Sequence, residues 1–163
     1  MHGQKKPRPK SKQRHTYPLI PKFFQPKVSA DVALKCRIIH WDNLTRFVNG
    51  SADAELLWDW IECSLTYDKM MALFIADGIQ ITPDAIEAIA DQSHQWPGVA
   101  GRYQATGRIG FTGPELAIAR AAAHVMDALI GMDRNGIAWA ARTWSNAEIK
   151  KVKAKYQRAA CAA

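Results

Sequence analysis

Residues 51–78 read SADAELLWDWIECSLTYDKMMALFIADG and contain the clearest structural signal in the chain. Apolar side chains recur there every three or four residues, which is the spacing of one face of an α-helix. Ser51 is a candidate N-cap, and Asp53 and Glu55 place negative charge in the first turn, where the helix dipole favours it. Gly78 is a candidate C-terminal stop. The stripe predicted to be buried comprises Leu57, Trp60, Ile61, Ser64, Tyr67, Met71, Phe74 and Ile75.

The flanking sequence shows the same helical pattern. A helix is predicted from the candidate N-cap Ser29 to Asn49-Gly50, with an apolar stripe of Leu34, Ile38, Trp41, Leu44 and Val48. Later helices are predicted to start at Thr82-Pro83, at the capping box Thr112–Glu115, near residue 137, and at a second capping box, Ser145–Glu148. No segment shows sustained alternation of apolar and polar residues. The sequence therefore predicts an all-α fold, a single compact bundle of five or six helices.

Composition narrows the class of protein. The chain has 163 residues, 48% of them hydrophobic, which suits one globular domain. The longest apolar run, Met70–Ala76, is far shorter than the roughly 20 residues of a membrane-spanning helix. Cys36, Cys63 and Cys161 are isolated, so neither a disulfide framework nor a zinc site is predicted. With closely spaced prolines where a signal peptide has its apolar region, we expect a soluble cytoplasmic protein.

Charge is unevenly distributed along the chain. The net charge is +7, but residues 1–27 carry +8 and residues 145–163 carry +4, so residues 28–144 carry −5. Basic ends on an acidic body are typical of chains that neutralise phosphates and release counterions. The candidate nucleic-acid contacts in the first segment are Lys5, Lys6, Arg8, Lys10, Lys12 and Arg14. The alternative is a solubilising leader without a partner.

These patterns divide the chain into a disordered, basic, Pro-rich arm over residues 1–27 and a helical domain over residues 28–163. Within the arm, residues 17–24 (YPLIPKFF) are largely apolar. We expect this segment to lie against the domain as a strap; the sequence leaves open whether it covers Trp58 or leaves Trp58 as an interface. The alternative is a docking peptide for another protein.

Two further basic features are candidate phosphate contacts. Residues 97–113 are predicted to form a Gly-rich loop that carries Arg102 and Arg108 into a helix N-terminus, an arrangement suited to anions. Alternatively, this loop is a connector whose arginines pair with the acidic body. On the last helix, Lys151, Lys155 and Arg158 share one face, which suits either a polyanion or ordinary solvation.

The tryptophans provide a candidate binding surface, and the histidines form no recognisable catalytic or metal-binding motif. Trp58 and Trp60 are two positions apart on a helix and cannot share a face, so Trp60 is assigned to the core and Trp58 to a candidate protein interface. His40, His94 and His124 lie on different predicted helices, without metal-ligand spacing. No cofactor is predicted, and no catalytic motif argues for an enzyme, although a site built from these histidines would be a third possibility.

Two functional hypotheses follow. The first is a non-catalytic accessory or regulatory protein whose basic termini contact nucleic acid or a nucleoprotein complex. Acidic residues open the second helix, where a helix-turn-helix needs its base contacts, so sequence-specific readout from it is not expected. The second is a protein-binding adaptor or inhibitor that uses an exposed helical surface containing Trp58. Oligomeric state is not predicted.

Overall fold

Six α-helices make up the computed structural model, which describes residues 27–133 and 135–161, with side chains through Lys155. In chain order they are α1 (Ala30–Val48), α2 (Ala54–Ala76), α3 (Pro83–His94), α4 (Trp96–Thr106), α5 (Gly113–Met132) and α6 (Ile137–Cys161). No strand occurs in these two ranges. The predicted all-α bundle is confirmed.

Helices α2 and α5 form the centre of the bundle. α2 packs against α3, α5 and α6, while α5 packs against α1, α2 and α3. Ala119, Ala122 and Ala123 of α5 have no exposed surface, so their small side chains let neighbouring helices approach closely. Trp60 and Phe74 of α2 fill the space around them. Truncating a side chain as buried as Phe74 costs about 3–5 kcal/mol of stability, so these contacts fix the scaffold.

Several predicted helix boundaries are confirmed by their hydrogen bonds. Ser29 caps α1 by accepting the Val32 N–H through Oγ at 3.3 Å, and Thr82 caps α3 in the same way. Thr112 and Glu115 form both halves of the capping box that opens α5. After α2, Gly78 takes a φ of +81°, a conformation that glycine adopts without strain.

The predicted start of α2 is wrong by two residues. Asp53, and not Ser51, is the N-cap, because its Oδ1 accepts the Leu56 N–H at 2.8 Å. Ser51 instead donates its hydroxyl to the Arg46 carbonyl oxygen at the end of α1. A carboxylate is favoured over a hydroxyl here since it also carries charge toward the positive end of the helix dipole.

The predicted buried face of α1 is also wrong in part. Leu34, Ile38 and Val48 are more than half exposed, and the buried residues are Ala33, His40, Leu44 and Phe47. The helix is apolar on two sides, so spacing alone could not decide which side meets the core. A buried histidine hydrogen bond decides it, as described below.

At two places where the sequence predicted a break between helices, the structure is helical. Ser145 does not open a helix: it lies inside the continuous α6, where its Oγ donates to the Arg142 carbonyl oxygen and meets Thr66 Oγ1 at 2.6 Å. Residues 97–106 of the predicted Gly/Arg-rich loop are helical as part of α4, so the irregular stretch shrinks to residues 107–112. Gln95 precedes α4 without a side-chain cap, and Pro97 occupies its first turn.

Candidate functional site

Trp58 lies at an apolar cleft between α2, α4 and the C-terminal part of α6. The cleft has a volume of about 390 Å³. Its apolar walls are formed by Leu57, Trp58, Ile61, Leu65, Trp96, Pro97, Ala100, Tyr103 and Val152. Trp58 is half-buried, while Trp60 has no exposed surface, so the assignment of Trp60 to the core is confirmed. The cleft places a large aromatic side chain where a partner can reach it.

A buried polar network holds one wall of the cleft. Ser64 Oγ accepts hydrogen bonds from Trp96 Nε1 at 3.1 Å and from Gln92 Nε2 at 3.3 Å. The same hydroxyl donates to the Trp60 carbonyl oxygen at 2.9 Å. Gln92 is completely buried, and Gln95 donates to its side-chain oxygen. The network ties α2, α3 and α4 together and fixes the wall of the cleft that these helices form.

The basic residues of α6 lie beside this cleft. α6 runs antiparallel to α2, which brings Lys153 Nζ to 5.5 Å from the centre of the Trp58 ring. Lys151 pairs with Glu148 at 2.6 Å one turn away. Lys150 and Lys155 are exposed, and no hydrogen bond or ion pair to another described residue is found for either. The structure thus places Lys153, which was not a sequence-predicted contact, against Trp58, while the predicted contacts Lys151 and Lys155 are exposed elsewhere on α6.

Arg102 is engaged within the protein. Its guanidinium donates to both carboxylate oxygens of Glu115 and to the Gly110 carbonyl oxygen, joining α4 to the start of α5. Partial burial opposes ionisation of Glu115, but hydrogen bonds from Arg102 and Thr112 and the Arg102 charge hold the pKa of this carboxyl below its usual value. This is the pairing expected of a structural connector.

The other predicted phosphate contacts divide into two groups. Arg108 is exposed on the turn after α4. Lys5, Lys6, Arg8, Lys10, Lys12, Arg14 and the side chain of Arg158 lie outside the described residues. For all of them, contact with nucleic acid stays a prediction.

The histidines do not form a common site. His40 is buried, its Nδ1 lies 3.3 Å from Asp127 Oδ1, and Trp41 Nε1 donates to the other oxygen of that carboxylate at 2.9 Å. Burial lowers the pKa of His40, although the hydrogen bond and charge of Asp127 oppose this. These contacts orient α1 on α5. Among the described side chains, those of residues 27–133 and 135–155, no group of three or more metal-ligating residues is found.

Sequence reasoning missed the α4 side of the cleft because it treated residues 97–113 as a loop. A helical signal was nevertheless present. Trp96, Val99 and Tyr103 are spaced by three and four residues, and Pro97 suits the first turn of a helix. The five glycines of this stretch outweighed that signal. Two of them, Gly98 and Gly101, lie within α4 itself.

Comparisons with known proteins leave the site to be interpreted from its own geometry. None of the described helices has the length and apolar character needed to cross a membrane. No protein-family model, curated protein or solved structure was found to match this chain.

Proposed function

We propose that this protein is a non-catalytic accessory or regulatory factor that contacts nucleic acid, or a nucleoprotein complex, through its basic termini. One observation carries the proposal: Lys150 and Lys155 project from α6 without an acidic partner among the described residues, although residues 28–144 carry a net charge of −5. Cations left unpaired beside this acidic body are available to phosphates. The arm over residues 1–27 adds eight positive charges and no acidic residue.

The mechanism is electrostatic. Each lysine or arginine that reaches a phosphate releases condensed counterions, which supplies affinity without reading base sequence. The acidic body is repelled by the same phosphates, so contact is confined to the basic ends. The protein then acts by positioning its helical body, with the Trp58 cleft, beside the nucleic acid.

Deletion of residues 1–15 tests the role of the arm. We expect most of the affinity for mixed-sequence DNA or RNA to be lost, because six of the positive charges lie there, while the helical circular dichroism is retained. The measurement is fluorescence anisotropy at fixed low salt. Unchanged affinity would refute the arm mechanism.

A second candidate function is supported by the cleft itself. The walls are almost entirely apolar, which is the character of a groove that accepts an amphipathic helix of a partner protein. In this alternative the protein is an adaptor or inhibitor anchored by Trp58. Replacing Trp58 with Ala should abolish partner capture and leave the fold intact.

Trp144 provides the matched control for this substitution. It is also a half-buried tryptophan, with Lys69 Nζ 5.3 Å from its ring centre, but it does not line the cleft. Trp144→Ala should therefore leave capture unchanged. Equal loss in both variants, or survival of capture in Trp58→Ala, would contradict the adaptor assignment.

A further inference from the structure

A second apolar groove runs along α1. Because α1 packs on α5, an open groove of about 640 Å³ remains between α1 and the pair α2 and α6. Val32 and Ile39 line it from α1, yet they are 46% and 55% exposed. Across from them lie Cys63, Met70 and Trp139. Large apolar side chains this exposed along one continuous groove are typical of a surface that another segment covers.

The described chain begins at this groove. Lys27 and Val28 line one end of it, and Val28 packs against the core. The segment immediately before them, residues 17–24, contains five large apolar side chains, namely Tyr17, Leu19, Ile20, Phe23 and Phe24. Residues 2–16 contain no large aliphatic or aromatic hydrophobic side chain. In the sequence, only two residues therefore separate the end of the apolar segment from the residues that line the groove.

We propose that residues 17–24 dock into the α1 groove of their own chain. The lengths agree: α1 rises about 20 Å from its start at Ala30 to Asn43, Val28 extends the groove before the helix, and eight extended residues span about 26 Å. The groove lining contains two carboxylates, Asp59 and Glu62, and two cations, Lys27 and Arg142. Arg142 pairs with Glu62 at 3.3 Å, which leaves Asp59 for Lys22, the only charged residue of the segment.

This inference does not depend on the nucleic-acid proposal. It assigns residues 17–24 to the α1 groove and not to the cleft of Trp58, which α2, α4 and α6 enclose elsewhere. The Trp58 cleft is then left open for a partner. Docking also fixes where the basic residues from Lys5 to Arg14 emerge from the domain.

Limited trypsin digestion of the full chain tests the docking. The Lys22–Phe23 bond lies inside the proposed docked segment, and the Arg14–His15 bond lies before it. We expect the Lys22–Phe23 bond to be cut at least about tenfold more slowly in the protein than in a synthetic peptide of residues 11–27, because cleavage tracks the population of the open form. The Arg14–His15 bond should be cut at the same rate in both.

Neighbouring isoleucines of α1 provide matched variants. Ile39 lines the groove, whereas Ile38 is equally exposed, at 60%, and does not. Ile39→Asp should raise cleavage after Lys22 to the rate of the free peptide, and Ile38→Asp should leave the slow rate unchanged. The double change Leu19→Asp with Ile20→Asp lies outside the domain. It should also raise cleavage after Lys22 to the rate of the free peptide, so it tests the docking even if Ile39→Asp impairs folding.

Three results would overturn the proposal. The first is a Lys22–Phe23 bond that is cut as fast in the full chain as in the peptide. The second is an equal effect of Ile38→Asp and Ile39→Asp. The third is protection that disappears on dilution, which would assign the groove to residues 17–24 of a second copy.

Discussion

Neutralising Lys150 and Lys155 provides a quantitative test of the α6 surface. Both side chains are exposed and neither has an ion-pair partner among the described residues, so each is free to contact a phosphate. The double variant Lys150→Gln with Lys155→Gln should reduce the slope of log K against log salt by about 1.8 for duplex DNA and by about 1.4 for a single strand. Lys151 is retained because Glu148 already pairs with it.

The assay is fluorescence anisotropy of a labelled mixed-sequence oligonucleotide, repeated from low to moderate salt. A charge-matched control is Lys35→Gln with Arg120→Gln, since these side chains are exposed on α1 and α5, away from α6. This control removes the same net charge. Because its residues lie outside the proposed contact surface, it should leave the slope nearly unchanged. Equal slopes for the two double variants would show that only net charge matters and would refute the assignment of α6 as a contact surface.

Three further predictions concern the scaffold that positions the site. Arg102→Ala should lower the free energy of unfolding in urea by about 1 kcal/mol, because it leaves the Glu115 carboxylate without its guanidinium partner; no loss would mean that the pair is not coupled to folding. Asp133 is buried and accepts the Ile137 N–H at the start of α6. Asp133→Ala should therefore lower the free energy of unfolding by about 1–2 kcal/mol, and Asp133→Asn should lower it less. Equal losses in the two variants would contradict a capping role. Burial lowers the pKa of His40 in the folded protein. As the pH falls, the unfolded chain therefore binds a proton on His40 at a higher pH than the folded protein does, and stability should decline below about pH 6.5. His40→Gln should flatten that part of the profile in urea titrations at pH 7.5 and 5.5, and an unchanged profile would assign the decline to other groups.

The fold was predictable where a local signal and burial agree. The start of α5 is an example, since the capping box predicted at Thr112–Glu115 is formed in the structure. The Trp58 and Trp60 pair is another example, because two residues that lie two positions apart on a helix cannot share one face. In both cases the information lies within a few residues of sequence.

The failures occur where tertiary contacts outweigh local preference. Ser145 has the sequence of an N-cap, but its hydroxyl meets Thr66 across the interface between α6 and α2. The buried face of α1 depends on Asp127, which lies 87 residues beyond His40 and binds both His40 and Trp41. No spacing within α1 contains that information.

The candidate site was predictable only in its components. Trp58 was identified from local sequence, but Lys153, which lies against its ring, was not, because this contact depends on the antiparallel packing of α6 on α2. For Arg102 the local sequence was misleading. The glycines and the helix N-terminus beside it predicted a phosphate ligand, but its guanidinium binds Glu115 of that same helix.

Salt-dependent binding of the full chain to mixed-sequence DNA and RNA tests the central proposal most directly. If the basic termini neutralise several phosphates, anisotropy should show binding that weakens steeply with salt, with a log–log slope of about −4 or more negative. Absence of binding even at low salt would contradict the nucleic-acid function, and the Trp58 cleft would then become the leading candidate site.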